Sequence, residues 1–250
     1  MKSTAPSSFS FERWRGWGRR ALQFFFPRTC AACRNDVPLS SPYALCADCW
    51  SKVPVWEGLI CETCGVPLPD GGRHCYLCRR IRRSFHTCRS AALYEGVMKT
   101  CLWLLKYQGK DFLAEPLGRF LAEKCSSFPE MSGVEGVLPV PLYFWRKRRR
   151  GYNQSELLAT VFCRETSFPL MTGVLRRRKP TRTQTELGRE ERFANVENAF
   201  EVEKPENVRG KNLLLIDDVC TTGATLDACA RALKTAGARR VGALTVARQI

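Results

Sequence analysis

Hydrophobic and polar positions change their pattern at about residue 90. Beyond that point, short apolar runs alternate with segments in which apolar residues recur every three or four positions. The clearest example is the continuous apolar run 213–216, which is typical of a strand buried on both faces. It is followed by a helical pattern whose buried face carries Leu226, Cys229, Ala230 and Leu233. This alternation predicts an α/β fold, a parallel sheet with helices on both faces.

The first third of the chain lacks this alternation of apolar runs and helical patterns. Residues 1–26 contain a basic amphipathic segment, 9–26, with one apolar helical stripe: Trp14, Trp17, Ala21, Phe24 and Phe25. Such a segment either packs on the rest of the protein or makes peripheral contact with an anionic membrane surface. Over residues 27–88, frequent proline and glycine predict turns and short hairpins rather than helices. We therefore divide the chain into residues 1–26, 27–88 and 89–250, the last of which carries the sheet.

Cysteine is the most unevenly distributed residue. Of 14 cysteines, eight form CxxC pairs within residues 27–88: Cys30/Cys33, Cys46/Cys49, Cys61/Cys64 and Cys75/Cys78. A CxxC turn directs two thiolates at one point, so two such turns complete a tetrahedral zinc site. The four pairs predict two structural zinc sites, which a region of about 55 residues would need in order to fold. Consecutive pairing is the simplest arrangement, and crossed pairing, a disulfide cluster and a redox CxxC are the alternatives.

Net charge and hydropathy indicate what kind of partner and what cellular compartment to expect. The chain has 40 Lys and Arg against 24 Asp and Glu, a net charge of +16 that favours anionic partners. No apolar run reaches the about 18 residues that a membrane-spanning helix needs. Arginines interrupt the stretch where an export signal would be apolar: Arg13, Arg15, Arg19 and Arg20. We therefore expect a protein of the reducing cytoplasm, where CxxC pairs bind metal rather than form disulfides.

A turn of small residues after the buried strand predicts an anion site. Residues 221–225 read TTGAT and open the predicted helix. Small residues let backbone N–H groups approach a ligand, the helix N-terminus adds partial positive charge, and threonine hydroxyls add donors. Asp217 and Asp218 stand directly before this turn, where they can accept hydrogen bonds from hydroxyl groups. An acid pair followed by a phosphate-binding turn suits a sugar phosphate as the ligand. The G-x-x-x-x-G-K-[ST] motif of nucleoside triphosphate sites is absent from the sequence.

The string LLLIDDVCTTGAT at 213–225 resembles the signature by which type I phosphoribosyltransferases bind phosphoribosyl pyrophosphate (PRPP). The resemblance implies the fold of those enzymes, with Asp217 and Asp218 as the catalytic pair that binds the ribose hydroxyls. It implies that the 5-phosphate is bound by Thr221, Thr222, Gly223, Ala224 and Thr225. It also implies magnesium, which would arrive with the pyrophosphate group.

Further segments are similar to the ComF family, competence-associated phosphoribosyltransferase-like proteins with an N-terminal double zinc ribbon. The similar segments are LKYQG at 105–109, LPVPL at 138–142, RKRRRGYNQSELL at 146–158 and a polar stretch over 183–200. The likeness spans residues 20–250 and places Lys106 and Tyr107 near the site. It implies pyrophosphate contacts from a loop after the first core strand, from a cationic loop, and from a flexible hood over 178–194. The residues implicated are Pro139, Val140 and Pro141, then Arg146, Arg150, Asn153 and Gln154, then Arg182 and Arg192.

The activity implied is transfer of the phosphoribosyl group of PRPP to an unknown acceptor, linked to DNA uptake in natural competence. A second hypothesis is a non-catalytic adaptor, regulated by PRPP, that binds single-stranded DNA and a competence helicase. Positive charge supports it, as do aromatic residues able to stack bases: Phe85, Tyr143, Phe144, Trp145 and Tyr152. A third hypothesis is a general nucleotide-salvage phosphoribosyltransferase, which fits less well with the zinc ribbon and the RKRRRGYNQ segment.

Overall fold

The computed structural model of the protein describes residues 29–37, 45–179, 196 and 198–250. Within them, parallel strands form a sheet in the order β1-β6-β5-β2: β1 (Thr87–Leu93), β2 (Gly136–Pro139), β5 (Asn212–Cys220) and β6 (Arg240–Arg248). A separate antiparallel pair consists of β3 (Leu175–Arg177) and β4 (Phe200–Val202). The predicted α/β fold with a parallel sheet is confirmed.

The described residues contain seven α-helices, and four of them pack on the two faces of this sheet. In chain order they are α1 (Ala47–Ser51), α2 (Tyr76–Arg80), α3 (Gly96–Tyr107), α4 (Ala114–Cys125), α5 (Phe144–Arg150), α6 (Gln154–Thr166) and α7 (Ala224–Thr235). Leu214 and Ile216 of β5 belong to the core beneath α3, α4 and α6, whereas Leu213 and Leu215 belong to the core beneath α7. This double burial explains why residues 213–216 are apolar without interruption.

The buried face predicted for α7 is also confirmed, and Gly237, with a φ of +96°, follows the helix end, where glycine is favoured. Among the helices described, none has the length and apolarity needed to cross a bilayer. The amphipathic segment 9–26 lies outside the described residues.

Helices α1 and α2 lie in the region where proline and glycine predicted turns and hairpins without helices, and the prediction is wrong in this respect. Each helix follows the first cysteine of a CxxC pair, Cys46 for α1 and Cys75 for α2. Cys46 Sγ accepts a hydrogen bond from the Cys49 backbone N–H (3.4 Å), as a side chain at a helix N-terminus does. The metal-binding turns themselves therefore start these two short helices.

Candidate functional site

Asp217 and Asp218 lie near the carboxyl end of β5, at the edge of the sheet where α/β folds bind ligands. Both carboxylates are buried. Asp217 Oδ1 accepts a hydrogen bond from Ser155 Oγ (2.7 Å) in the first turn of α6. Asp218 Oδ1 lies 3.0 Å from Lys106 Nζ in the last turn of α3. The acid pair therefore connects β5 to two helices, and sequence analysis did not reveal the role of Ser155.

The pKa of Asp217 is raised to about 7. Burial is the main cause, and repulsion from the neighbouring Asp218 carboxylate adds to it. The hydrogen bond from Ser155 and the charge of Lys106 lower the pKa without cancelling this rise. Burial also acts to lower the pKa of Lys106, but attraction to Asp218 outweighs it, and the pKa of Lys106 is raised. Lys106 is therefore a cation at neutral pH, while Asp217 exchanges a proton there.

Asp218 Oδ2 is an open hydrogen-bonding position in the site. It is buried, and no donor from the described part of the chain reaches it. A buried carboxylate oxygen without a donor is unfavourable until a bound group supplies one. A sugar hydroxyl is such a donor, so this atom is chemically suited to the ribose contact expected of Asp218.

The expected phosphate turn lies between β5 and α7. Gly223 immediately precedes the helix with a φ of +77°, a left-handed conformation that favours glycine. Thr222 Oγ1 accepts a hydrogen bond from the Ala224 backbone N–H (3.4 Å). Thr221 and Thr225 complete the turn at the amino end of a 12-residue helix, where backbone N–H groups have no partner within the helix. The turn thus combines the conformation, donors and dipole that favour a phosphate.

The loop at residues 139–141 lies beside the acid pair because β2 and β5 are neighbouring strands. The Val140 backbone N–H donates to the Ile216 carbonyl (2.9 Å). Asn153 Nδ2 donates to the Val140 carbonyl (3.1 Å), and Asn153 Oδ1 accepts from the Ser155 backbone N–H (3.1 Å). The Asn153 side chain is thus engaged in holding this loop and starting α6, and we expect it to position the loop rather than contact a ligand.

The basic run 146–150 forms most of helix α5, so the expectation that it is a cationic loop is wrong. Arginine and lysine are good helix formers, and a helix distributes the five cations around its axis instead of directing all of them at one ligand. Arg150 donates to Gln154 Oε1, and its guanidinium stacks 5.5 Å from the centroid of the exposed Tyr107 ring. Two expected PRPP ligands, Arg150 and Gln154, therefore contact each other at the end of α3.

Arg177, in the basic stretch 176–179, is a further candidate site residue. It lies on β3, is buried, and has its guanidinium 5.3 Å from the Phe200 ring centroid. Burial lowers the pKa of Arg177, and the nearby Arg146 lowers it further, whereas Asp217 acts in the opposite direction. Arg177 thus brings positive charge toward Asp217, and Arg146 lies near Arg177. Two further arginines expected on the hood lie outside the described residues: Arg182 and Arg192.

The aromatic residues expected to stack bases fall into different environments. Phe85 is buried, so its expected role in base stacking is wrong. Tyr152 donates its hydroxyl to the Leu105 carbonyl and so ties the start of α6 to α3. Phe144 and Trp145 are exposed on α5, where they remain available to a partner.

The CxxC cysteines come together in two clusters of four. Within each cluster, all four Sγ atoms lie within 4.8 Å of one another: Cys30, Cys33, Cys46 and Cys49 in the first, and Cys61, Cys64, Cys75 and Cys78 in the second. This grouping is the consecutive pairing of CxxC turns, not the crossed one. Four thiolates complete a tetrahedral zinc coordination and leave no position for a substrate, so both clusters are structural zinc sites.

Comparison with known proteins agrees with this architecture. Residues 21–80 match the double zinc ribbon domain, and residues 124–250 match the phosphoribosyl transferase domain. The chain is 28% identical to "Competence protein F" of Haemophilus influenzae, over 90% of this chain and 98% of that protein. It is 28% identical to "DNA utilization protein YhgH" of Escherichia coli K12, over 86% of this chain and 94% of that protein.

The chain is also 34% identical to "Competence protein ComFC" of Bacillus subtilis, over 82% of this chain and 84% of that protein. The similarity to these three relatives covers most of this chain and most of each relative. The chain therefore belongs to the ComF family of competence proteins, with a double zinc ribbon followed by a phosphoribosyltransferase domain.

Proposed function

We propose that the protein binds PRPP and transfers its phosphoribosyl group to an acceptor. One observation carries the proposal: a buried Asp218 oxygen without a donor in the described chain stands three residues before the TTGAT turn. A hydroxyl donor suits the oxygen, and a phosphate suits the turn. A ribose 5-phosphate carries both groups on one molecule.

Each part of the site has a role in this proposal. The N–H groups and hydroxyls of residues 221–225 bind the 5-phosphate, and Asp217 and Asp218 accept hydrogen bonds from the ribose hydroxyls. The loop 139–141 and the arginines near Asp217 bind the pyrophosphate. Carboxylate oxygens such as Asp218 Oδ2 are also the hard ligands that suit magnesium. Magnesium bound with PRPP would neutralise charge on the pyrophosphate oxygens.

The reaction breaks the bond between C1 of the ribose and the pyrophosphate oxygen, and pyrophosphate leaves with the bonding electrons. A new bond joins C1 to the acceptor, which gives up a proton. The protein contributes by orienting the ribose and by stabilising the departing negative charge, without a covalent intermediate. Lys106 balances one charge of the acid pair and so permits two carboxylates in a buried site.

Calorimetric titration with magnesium and PRPP tests the binding site. We expect the wild-type protein to bind, and the D217N/D218N variant to keep its circular dichroism spectrum while it loses binding. Asp111→Asn, at an exposed carboxylate after α3, is the control and should bind like the wild type. Unchanged affinity in the D217N/D218N variant would refute the site.

Release of pyrophosphate tests the chemistry. The protein is incubated with PRPP and magnesium, alone and with a panel of nucleobases and amines as acceptors. We expect release that depends on one class of acceptor and is absent from the D217N/D218N variant. Binding without release for any acceptor would leave PRPP as a regulatory ligand and contradict transfer.

A second function, binding of single-stranded DNA, is favoured by the aromatic side chains of α5. Phe144 and Trp145 are 59% and 66% exposed on a helix that also carries five cations. Exposed aromatic rings among cations suit base stacking along a phosphate backbone. The names of the relatives refer to competence and to DNA utilization, and we propose the same link to DNA uptake for this chain.

Fluorescence anisotropy with a labelled oligonucleotide tests this function. We expect affinity to fall steeply with added salt and to be weakened by Trp145→Ala. Trp103→Ala, at an aromatic residue on α3 that is 47% exposed, is the matched control and should have little effect. Equal losses in both variants would show that α5 has no special role.

A further inference from the structure

The second zinc cluster, which contains Cys61 and Cys64, packs tightly on the sheet beside the phosphate turn. The Cys88 backbone N–H on β1 donates to the Thr63 carbonyl (2.8 Å) inside the first metal-binding turn of this cluster. Gly65 has a φ of +71°, and a Cβ atom there would lie 2.4 Å from the Cys88 carbonyl oxygen. The backbone of this cluster therefore approaches β1 more closely than any side chain at Gly65 would permit.

Arg248 of β6 connects this cluster to the start of the phosphate turn. It is 4% exposed, and its Nη1 donates to the Cys64 carbonyl (2.7 Å) and to Cys220 Sγ (2.9 Å). Cys220 directly precedes Thr221, and its carbonyl accepts from the Gln249 backbone N–H (3.0 Å). A buried guanidinium needs negative charge nearby, and four thiolates around one zinc ion carry a net charge that supplies it.

Arg83 forms a second connection, from the segment that follows the second cluster. Its Nη2 donates to the Thr222 carbonyl (3.0 Å) within the turn. The adjacent Ser84 backbone N–H donates to Asp227 Oδ1 (2.6 Å) in the first turn of α7. Two consecutive residues of this segment therefore hold the turn and the helix that follows it.

The first zinc cluster provides an internal comparison because it packs elsewhere. Cys30 and Cys49 belong to the core beneath α3 and α4, whereas Cys61 and Cys64 belong to the core beneath α7. The ring of Trp50 packs edge-on against Phe120 of α4, with the ring centroids 5.4 Å apart. The two zinc sites thus support different faces of the same sheet.

We propose that the second zinc site fixes the phosphate turn in its ligand-binding conformation, with Arg83 and Arg248 as positioning residues. The inference rests on the phosphate-binding role of the turn given above. Arg83 fixes the carbonyl of Thr222 and so the direction of the N–H groups that follow. Loss of zinc from the second site would remove negative charge near Arg248, free the Cys64 carbonyl that accepts from it, and so release the turn, whereas loss of zinc from the first site would not.

Substitution of the two arginines tests the connection without touching a metal ligand. Arg83→Gln and Arg248→Gln are compared with Arg82→Gln, a control at the exposed neighbour of Arg83. Zinc content is measured by elemental analysis, and affinity for magnesium with PRPP by calorimetry. We expect the Arg83→Gln and Arg248→Gln variants to keep two zinc ions and bind about tenfold more weakly, a usual size for coupling between sites. Wild-type affinity in Arg83→Gln with both zinc ions present overturns the proposal.

Amide hydrogen exchange over residues 219–226 gives a readout that needs no PRPP. We expect faster exchange when the second site is broken by Cys78→Ser, and unchanged exchange when the first site is broken by Cys33→Ser. Equal exchange in the two variants overturns the proposal. Where Cys78→Ser does not fold, exchange in Arg83→Gln against Arg82→Gln decides in the same way. A wild-type protein that fails to bind PRPP contradicts the proposed function, while the exchange result still decides whether the zinc site supports the turn.

Discussion

Lys106 Nζ lies 3.0 Å from Asp218 Oδ1, in an ion pair whose side chains are only 17% and 5% exposed. Removal of one partner from such a pair leaves the other charge buried and unpaired. We expect Lys106→Met to lower the free energy of unfolding by about 3 kcal/mol, measured by urea denaturation at neutral pH. Lys99→Met, at an exposed position of the same helix, is the control and should change it by less than about 0.5 kcal/mol.

Addition of Asp218→Asn to the Lys106→Met variant separates the charge effect from lost packing. The amide removes the unpaired negative charge, so the double variant should recover part of the stability that Lys106→Met loses. A double variant whose loss equals the sum of the two single losses would mean that the two side chains are not coupled.

The raised pKa of Asp217 makes stability depend on pH in a definite direction. The folded state holds the Asp217 proton up to about pH 7, whereas the ordinary value for the unfolded chain is 3.8, so this residue lowers stability as pH rises between them. Asp217→Asn removes the ionisation and keeps an oxygen that accepts from Ser155. We expect it to stabilise the fold by about 1–3 kcal/mol at pH 8, with less benefit at pH 4.

Chemical denaturation of wild type and Asp217→Asn at several pH values measures this difference. The advantage of the variant should grow between pH 4 and pH 7 and stay constant above that range. An advantage that does not change with pH would exclude a buried, proton-binding Asp217.

Substitution of Gly223 tests the conformation of the phosphate turn. Gly223 and Gly210 have similar φ angles, +77° and +74°, so Ala at either position should cost about 1 kcal/mol of stability. Only Gly223→Ala should also weaken binding of magnesium and PRPP, because it alone changes the direction of N–H groups at the amino end of α7. Calorimetry measures both affinities, and equal weakening in the two variants contradicts the assignment of this turn.

Zinc stoichiometry tests the two clusters directly. We expect two zinc ions per chain by elemental analysis, one after Cys33→Ser, and none after Cys33→Ser combined with Cys78→Ser. Because so small a region depends on metal to fold, the double variant should lose protease resistance over residues 45–80. A double variant that retains zinc would mean that three thiolates are enough to hold the ion.

The elements of the candidate site could be predicted from the sequence where the information is local, and the ligand they bind stays a prediction. The buried run 213–216, the acid pair and the TTGAT turn follow one another within 13 residues. The strand, the ligand-binding edge of the sheet and the N-terminus of the next helix could therefore all be inferred from this one segment. The same holds for the zinc sites, because each CxxC spacing brings two thiolates together without reference to the rest of the fold.

Sequence reasoning was less informative where partners are distant along the chain. Ser155 reaches the acid pair because α6 packs against the sheet, and no spacing rule encodes that contact. Lys106 was expected near the site only from the family resemblance, and its ion pair with Asp218 depends on the packing of α3. The basic run 146–150 was predicted as a loop and is a helix, because a run of positive charges occurs in both kinds of structure. Arg177 differs from its basic sequence neighbours only by its burial, which follows from the pairing of β3 with β4.

The position of β6 has a consequence for how this protein assembles. Residues 240–248 lie between β1 and β5, so the two halves of the sheet are not joined until this late segment inserts. A nascent chain that has made β1 and β5 therefore carries two unpaired inner edges, which favour premature association with other chains. Hydrogen-exchange pulse labelling during refolding should show that the backbone amides of β1 and β6 become protected late and together. The hydrogen bonds from Arg248 to Cys64 and Cys220 should form in the same step.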